Sequence, residues 1–454
     1  MRILYIVPWV PYPLNSGGNQ AVFTMTDHAR RQHEVSMLLY VHHAGERANL
    51  ERLQALWPDV TFYVFDAHEE ARIDNGKPAS PYASMPWLRR KVCEWLDYWH
   101  HSTQRKLARQ RWNHALNLLR KPAVALSSAE QSSAALSAFV RANSNLYREM
   151  NDFAPAFCDY VSEVARKGFE AIQVEFYEYL HLVYLLPTDV RKIFVHHELR
   201  FVRNENELEL FQPALATERI MMEREKAMEL AALNRYDTIV TLTETDRNLL
   251  SRYIDPEKIV TSPAITKNVQ QTELPFRAAT ELVFIGSGSH FPNADGMLWF
   301  CQQVVPALRQ RLGQLPALHI TGQWRKALRT CISALCPEAV FDGFVNDLPA
   351  FINGKISIVP IRIGSGMRMK ILDAFAAQAP LVTTSKGCEG LQVQHGKQCL
   401  IADTTEAFAD AIADLLGEPA LQETLAAKAL QADTPMLDEM DLIRQRLAIY
   451  EHND

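Results

Sequence analysis

Residues 358 to 376 read Ile-Val-Pro-Ile-Arg-Ile-Gly-Ser-Gly-Met-Arg-Met-Lys-Ile-Leu-Asp-Ala-Phe-Ala, and they hold the chain's densest chemistry. An apolar run stops at Pro360, a Gly364-Ser365-Gly366 turn with Met367 follows, and Arg368 and Lys370 open a helical pattern carried by Leu372, Phe375 and Ala376. Glycines let backbone N–H groups approach an anion, and a helix N-terminus adds partial positive charge. Two cations at the same corner make a diphosphate the natural ligand. Asp373, one turn further, offers a carboxylate suited to a pair of sugar or ribose hydroxyls.

A second constellation lies at Ile193-Phe194-Val195-His196-His197-Glu198, where an apolar run ends in two histidines. A neutral imidazole there can hydrogen-bond a sugar hydroxyl or steady positive charge, and His196 is the favoured candidate to face a ligand. Adjacent histidines on a strand point to opposite faces, which disfavours a shared metal ion. Gly17-Gly18, near the start of the chain, can clear room for a donor or acceptor, or form no more than an ordinary turn.

These residues need a scaffold, and short buried apolar runs alternating with helical segments supply one. Strands are expected at Ile3–Val7, Val35–Tyr40, Val60–Phe65, Ala171–Val174, Lys192–Val195 and Thr238–Leu242. After a polar stretch around Lys267–Thr280 they resume at Leu282–Ile285, Ala317–Thr321, Val340–Phe341, Ile356–Val359, Leu381–Thr383 and Cys399–Ile401. Helical spacing marks Ala21–Arg31, Gly296–Leu312, Ala407–Leu416 and Leu437–Tyr450. Such alternation means parallel βαβ units: an α/β chain with two Rossmann-like, doubly wound parallel sheets and ligands at strand C-terminal ends. In the second half the strand ends carry Gly286-Ser287, Gly322 and Gly343, besides Gly364. Together they suggest one mouth around a nucleotide.

In order and spacing, the pieces Phe284-Ile285-Gly286-Ser287, Pro292-Asn293, Ile320-Thr321-Gly322, Gly343-Phe344-Val345-Asn346-Asp347-Leu348, Pro360 to Lys370, Pro380 to Ser385 and Cys388-Glu389-Gly390-Leu391 resemble the C-terminal domain of the family-4 retaining glycosyltransferases (glycosyl transferases group 1), which have the GT-B fold. Pro11–Gly18 and Tyr236–Thr243 extend the likeness more weakly into the first half. The resemblance implies an N-terminal acceptor domain (residues 1–270, with a helical basic and Trp-rich insertion at about 72–165), a nucleotide-sugar domain (271–430) and a last helix crossing back (431–454). It places Arg368 and Lys370 on the diphosphate of a UDP- or GDP-linked donor. Gly364, Ser365, Gly366 and Met367 fall beside the sugar and phosphates, and Gly286, Ser287 and Gly322 near the phosphates. Gly343, Phe344 and Val345 fall at the base, Asp373 at the ribose, His196 at the donor sugar, and Gly17, Gly18 and His197 in the cleft on the acceptor side. The family's paired-glutamate pattern is broken: Ser365 stands eight residues before Asp373 where a carboxylate is usual, and Asp373 is one methylene shorter than the usual glutamate.

No two aspartates lie two apart, so the Asp-x-Asp device that holds a metal in some glycosyltransferases is missing from the sequence. The cations and helix-terminal amides can stabilise a leaving phosphate instead, so neither metal nor cofactor is expected. The expected reaction moves a sugar to a glycan or lipid-linked acceptor with retention, in surface polysaccharide or glycolipid synthesis. Two alternatives stay open: a catalytically inactive GT-B scaffold in a glycan-assembly complex, or a sugar-nucleotide epimerase. A dehydrogenase is disfavoured, because the first strand ends in Pro8 without a G-x-G-x-x-G turn.

The 454 residues carry a net charge of −6, which gives no reason to expect nucleic acid. Seven widely spaced cysteines without a CxxC pair read as reduced thiols of a cytoplasmic protein. Residues 72–121 are basic and hold Trp87, Trp95, Trp99 and Trp112. The pattern at 87–121 fits a helix lying peripherally on the inner face of a membrane, and equally a helix packed on the first domain with its charges solvated.

Overall fold

The computed structural model describes residues 1–14, 16–66, 153–211, 213–264, 274–430 and 439–451. The basic, Trp-rich segment therefore lies outside the described residues, and so does most of the insertion expected at about 72–165.

Seven strands make the first sheet: β1 (Arg2–Val7), β2 (Glu34–Val41), β3 (Thr61–Asp66), β4 (Ala171–Glu175), β5 (Arg191–His196), β6 (Thr238–Thr241) and β7 (Ile259–Thr261). All pairings are parallel and the order is β3-β2-β1-β4-β5-β6-β7. Side chains alternate along each strand, so both faces must be covered. Ile3, Tyr5 and Val7 enter one core, while Leu4 and Ile6 enter another on the opposite face. Likewise Ile193 and Val195 belong to the first core and Phe194 to the second. Helices α1 (Gly17–Ala29), α2 (Ala44–Leu56), α3 (Pro155–Ala165), α4 (Arg200–Leu210), α5 (Ala216–Leu233) and α6 (Glu244–Leu250) connect these strands among the described residues.

The second sheet holds β8 (Glu281–Phe284), β9 (Leu318–Thr321), β10 (Ala339–Gly343), β11 (Lys355–Val359), β12 (Leu381–Thr383) and β13 (Leu400–Ile401). It too is parallel, in the order β10-β9-β8-β11-β12-β13. Its helices are α7 (Phe291–Trp299), which runs through a π turn at Phe300–Val304 into α8 (Val305–Leu312), then α9 (Lys326–Leu335), α10 (Leu348–Ile352), α11 (Met369–Ala376), α12 (Thr405–Gly417) and α13 (Pro419–Leu430). In both sheets the strand order reverses beside the first strand, at β1/β4 and at β8/β11. Ligands of doubly wound folds bind at such switch points.

The last helix, α14 (Glu439–Glu451), returns to the first sheet. Tyr450 Oη is 2.7 Å from Tyr5 Oη and donates to Gln173 Oε1 at 2.7 Å. The buried Arg446 donates to Ser262 Oγ at 2.7 Å and to its carbonyl at 2.6 Å. One continuous apolar cluster thus contains residues of both sheets and of this helix.

Candidate active site

The glycine turn after β11 is built as a close interface with the first domain. Gly364 (φ 111°) and Gly366 (φ 76°) occupy conformations that side chains rarely adopt. A Cβ at Gly366 would lie 2.1 Å from the His197 carbonyl oxygen, so only glycine lets the two domains meet here. Three hydrogen bonds fix the contact. Leu199 N–H donates to Ser365 Oγ at 2.7 Å, Gly364 N–H to Asn206 Oδ1 at 3.2 Å, and Gly366 N–H to Asp246 Oδ2 at 2.9 Å. The amides of Gly364 and Gly366, expected to reach sugar and phosphate, are therefore engaged by the facing domain. Ser365 likewise turns its hydroxyl to the N-terminal domain and is 2% exposed.

Arg368 folds back on its own turn, donating to the carbonyls of Ser365 and of Gly366, the latter at 3.1 Å. Its guanidinium is thereby held beside Gly364, where an added Cβ would meet Nη2 at 3.0 Å. Lys370, in the first turn of α11, reaches the other sector. Its Nζ donates to Asn293 Oδ1 at 2.6 Å and lies 4.5 Å above the Phe284 ring. Asn293 in turn donates to the Ser287 carbonyl at 2.9 Å, and a Cβ at Gly286 would come within 3.2 Å of Lys370 Nζ. Gly322 meets the same corner: a Cβ there would be 2.8 Å from the Gly286 carbonyl carbon, and its N–H donates to the Gly343 carbonyl at 2.6 Å. Trp324 closes the floor through Nε1, which donates to the Gly286 carbonyl at 3.0 Å. Phe344 is 61% exposed beyond Gly343, leaving its ring face available.

Burial, reinforced by Arg368, pulls the Lys370 ammonium down from 10.5 to about 7, against the pull of Asp373. Burial raises Asp373 from 3.8 to about 6, with Lys370 opposing. A nearby anion would favour the charged form of such a lysine.

The first domain contributes Glu198, directly after β5. Burial alone would raise its pKa, but Arg203, His290, Arg200 and Arg368 together bring it down to about 2. A Cβ at Gly364 would lie 2.7 Å from Glu198 Oε1. Asp246, 3% exposed, is raised by burial while Thr243, Gly366 and nearby cations oppose the shift. On the same side, α1 begins at Gly17, where a Cβ would meet Met369 Cγ at 2.8 Å across the cleft. The α1 start is fixed by Ser16, whose Oγ accepts from Asn19 N–H at 3.1 Å.

His196 requires a correction. Its side chain is fully buried inside the first domain, with Nε2 2.8 Å from Glu229 Oε1. It shares a strand face with Phe194, which belongs to the inner core under α5, so it does not face the cleft. His197 lies nearer the cleft. Its ring stacks on Phe176 at 3.9 Å and its Nε2 is 2.7 Å from Glu175 Oε2, so it meets the C-terminal domain through its carbonyl rather than its ring. Phe176 holds this stack from a left-handed conformation (φ 67°) that an aromatic residue rarely adopts.

The structure places Gly286, Ser287, Gly322, Gly343, Phe344, Gly364 to Lys370 and Asp373 in the second domain. Facing the glycine turn are Glu198, Arg203, Asn206 and Asp246, which no sequence motif marks as a group. Glu198 was visible in the His-His-Glu run, but nothing in the sequence spacing joins the other three to the glycine turn.

Two doubly wound domains facing a cleft, with a glycine turn and two cations on the second, define the GT-B class. Residues 279–418 match the family described as glycosyl transferases group 1. A Klebsiella pneumoniae chain described as an uncharacterized 44.6 kDa protein in the cps region is 27% identical over 138 residues, covering 28% of this chain and 35% of that relative. Among solved structures, Staphylococcus aureus TarM in complex with fondaparinux, α-GlcNAc-glycerol and UDP superposes with a TM-score of 0.63 at 10% identity, covering 99% of this chain and all (100%) of that one. Sucrose-phosphate synthase from Thermosynechococcus elongatus gives 0.60 at 15% identity, covering 99% and 98%. Anabaena HepE in complex with UDP and glucose gives 0.58 at 10% identity, covering 99% of each.

Proposed function

We propose that the chain transfers a sugar from a UDP- or GDP-linked donor to a glycan or lipid-linked acceptor, with retention and without a metal ion, in the synthesis of a surface polysaccharide or glycolipid. The observation that carries this reading is the pairing of Arg368 with a half-buried, destabilised Lys370 ammonium at the glycine corner where β8, β9 and β11 end. A diphosphate placed between them relieves the cost of burying both cations. As the sugar–phosphate bond breaks, charge grows on the leaving phosphate, and these groups meet it where it develops. Asp373 stands one helical turn further along and suits the ribose hydroxyls. Phe344 offers its ring near the expected base.

Retention fits a front-face attack in which the leaving phosphate oxygen helps accept the acceptor's proton, so no dedicated base is demanded of the protein. The Klebsiella relative in a cps region and the UDP complexes of the structural neighbours support this reading. No helix among the described residues is long and apolar enough to cross a membrane. Contact with a lipid acceptor would fall to the Trp-rich segment at 87–121, acting at the cytoplasmic face of the membrane.

The test is incubation of the purified chain with UDP- and GDP-hexoses, with and without EDTA and a membrane lipid extract. Nucleotide release insensitive to EDTA, and a product whose anomeric configuration by NMR matches the donor, are expected. Donor conversion without nucleotide release would instead identify an epimerase, and binding without turnover a scaffold.

A further inference from the structure

The cleft contains a carboxylate whose surroundings are built to keep it charged yet leave it under-used. Glu198 Oε2 accepts one hydrogen bond, from Arg203 Nη1 at 3.3 Å. Oε1 accepts none among the described residues, although the side chain is only 19% exposed. Arg203 is itself shared with the fully buried Glu207, to which its Nε donates at 3.0 Å. A carboxylate so placed retains most of its acceptor capacity. The surrounding cations, Arg203, Arg200 and Arg368, offset the desolvation of its charge without filling its acceptor positions.

Its position is fixed by the docking of β5 on the glycine turn. The Leu199 amide that follows it binds Ser365 Oγ, and a Cβ at Gly366 would lie 3.6 Å from the Glu198 Cα. Oε1 therefore sits against Gly364, beside the Arg368 guanidinium and next to the corner where the donor diphosphate is placed above. On the opposite wall Ser365 has no charge to offer, and its hydroxyl oxygen accepts from the Leu199 amide.

We propose that Glu198 supplies the sugar-subsite carboxylate of this cleft from the N-terminal domain: Oε1 accepts a hydrogen bond from a donor-sugar hydroxyl beside the diphosphate, and its charge favours the positive charge that develops at the anomeric carbon. This rests on the glycosyltransferase reading. In that reading no bond forms to Glu198; the sugar–phosphate bond breaks, the nucleoside diphosphate carries away the electron pair, and the acceptor oxygen forms the new bond. Because the residue belongs to the domain opposite the phosphate clamp, it aligns with the sugar only when the two domains are docked as they are here.

The test compares Glu198→Gln and Glu198→Asp with the native chain in three readouts: UDP affinity by calorimetry, nucleotide release from the donor, and thermal melting. Glu198→Gln is expected to keep or tighten UDP binding, since a negative charge leaves a cationic corner. It should lower kcat about 100-fold. Glu198→Asp, which keeps the charge and the Arg203 pair but withdraws Oε1, should bind UDP normally and turn over slowly. It decides the matter if the glutamine variant fails to fold. Turnover of either folded variant within about threefold of native overturns the proposal. So does a fall in UDP affinity equal to the fall in turnover, which would make Glu198 a mere support of the clamp. If the native chain releases no nucleotide from any donor, the glycosyltransferase reading fails and this proposal fails with it; native turnover with an unaffected variant overturns this proposal alone.

Discussion

Lys370 shows how a single residue connects burial to ligand choice. Its ammonium, at about 7 rather than 10.5, is half-protonated near neutrality. If Lys370 meets the donor diphosphate as proposed, nucleotide affinity is expected to be full below pH 7 and to fall by up to about tenfold per pH unit above it. Replacing Lys370 by Arg, which stays charged, should flatten that slope; UDP titrations from pH 6 to 9 check it. The linkage to stability has the opposite sense for its two partners. Between about 7 and 10.5 the unfolded chain holds the lysine proton that the folded chain has released, so the folded state gains stability as pH rises through that window. Asp373, raised from 3.8 to about 6, binds its proton more tightly when folded, so its contribution is lost as pH rises from 3.8 to 6.

At the scale of elements, the end of β5 and the start of α6 grip the turn before α11. Gly366→Ala would force a left-handed alanine, costing about 1–2 kcal/mol, and push a Cβ into the His197 carbonyl. It is expected to lower the melting temperature and to abolish most turnover, both measurable on the same sample. An effect on neither would mean that the domains are not held together here. Much of this scaffold was legible beforehand, because parallel strands covered on both faces read as short Val, Ile and Leu runs. β7 was not expected: it is an edge strand in which only Ile259 is buried and Val260 is 36% exposed, so it lacks the apolar run that marks the other strands. His196 was placed wrongly for a related reason. When both faces of a strand are buried, alternation cannot tell which face looks toward the cleft. The partners of the glycine turn were beyond reach for another reason. Leu199, Asn206 and Asp246 lie 166, 158 and 120 residues from the atoms they bind, and no local spacing encodes such contacts.

Across the whole molecule, α14 ties the end of the chain to the first sheet below the cleft. Tyr450 binds Gln173, whose Nε2 donates to Glu175 Oε1 at 2.6 Å, and Glu175 holds the His197 ring. Arg446 anchors the same helix on Ser262 and is 5% exposed. Arg446→Ala leaves the Ser262 carbonyl and hydroxyl unpaired, and a loss of about 1–3 kcal/mol in stability is expected by thermal or urea melting. An unchanged melt would show that the helix contributes little to the first domain. On the opposite wall stand Arg368 and Lys370, proposed as the clamp of a donor diphosphate. The most direct test of that clamp is calorimetric titration of UDP and GDP into the native chain and into Arg368→Ala and Lys370→Ala. The account predicts binding of one nucleotide by the native chain and a loss of about tenfold or more in each variant, with melting curves that show both variants folded. Folded variants that bind as tightly as the native chain would contradict it.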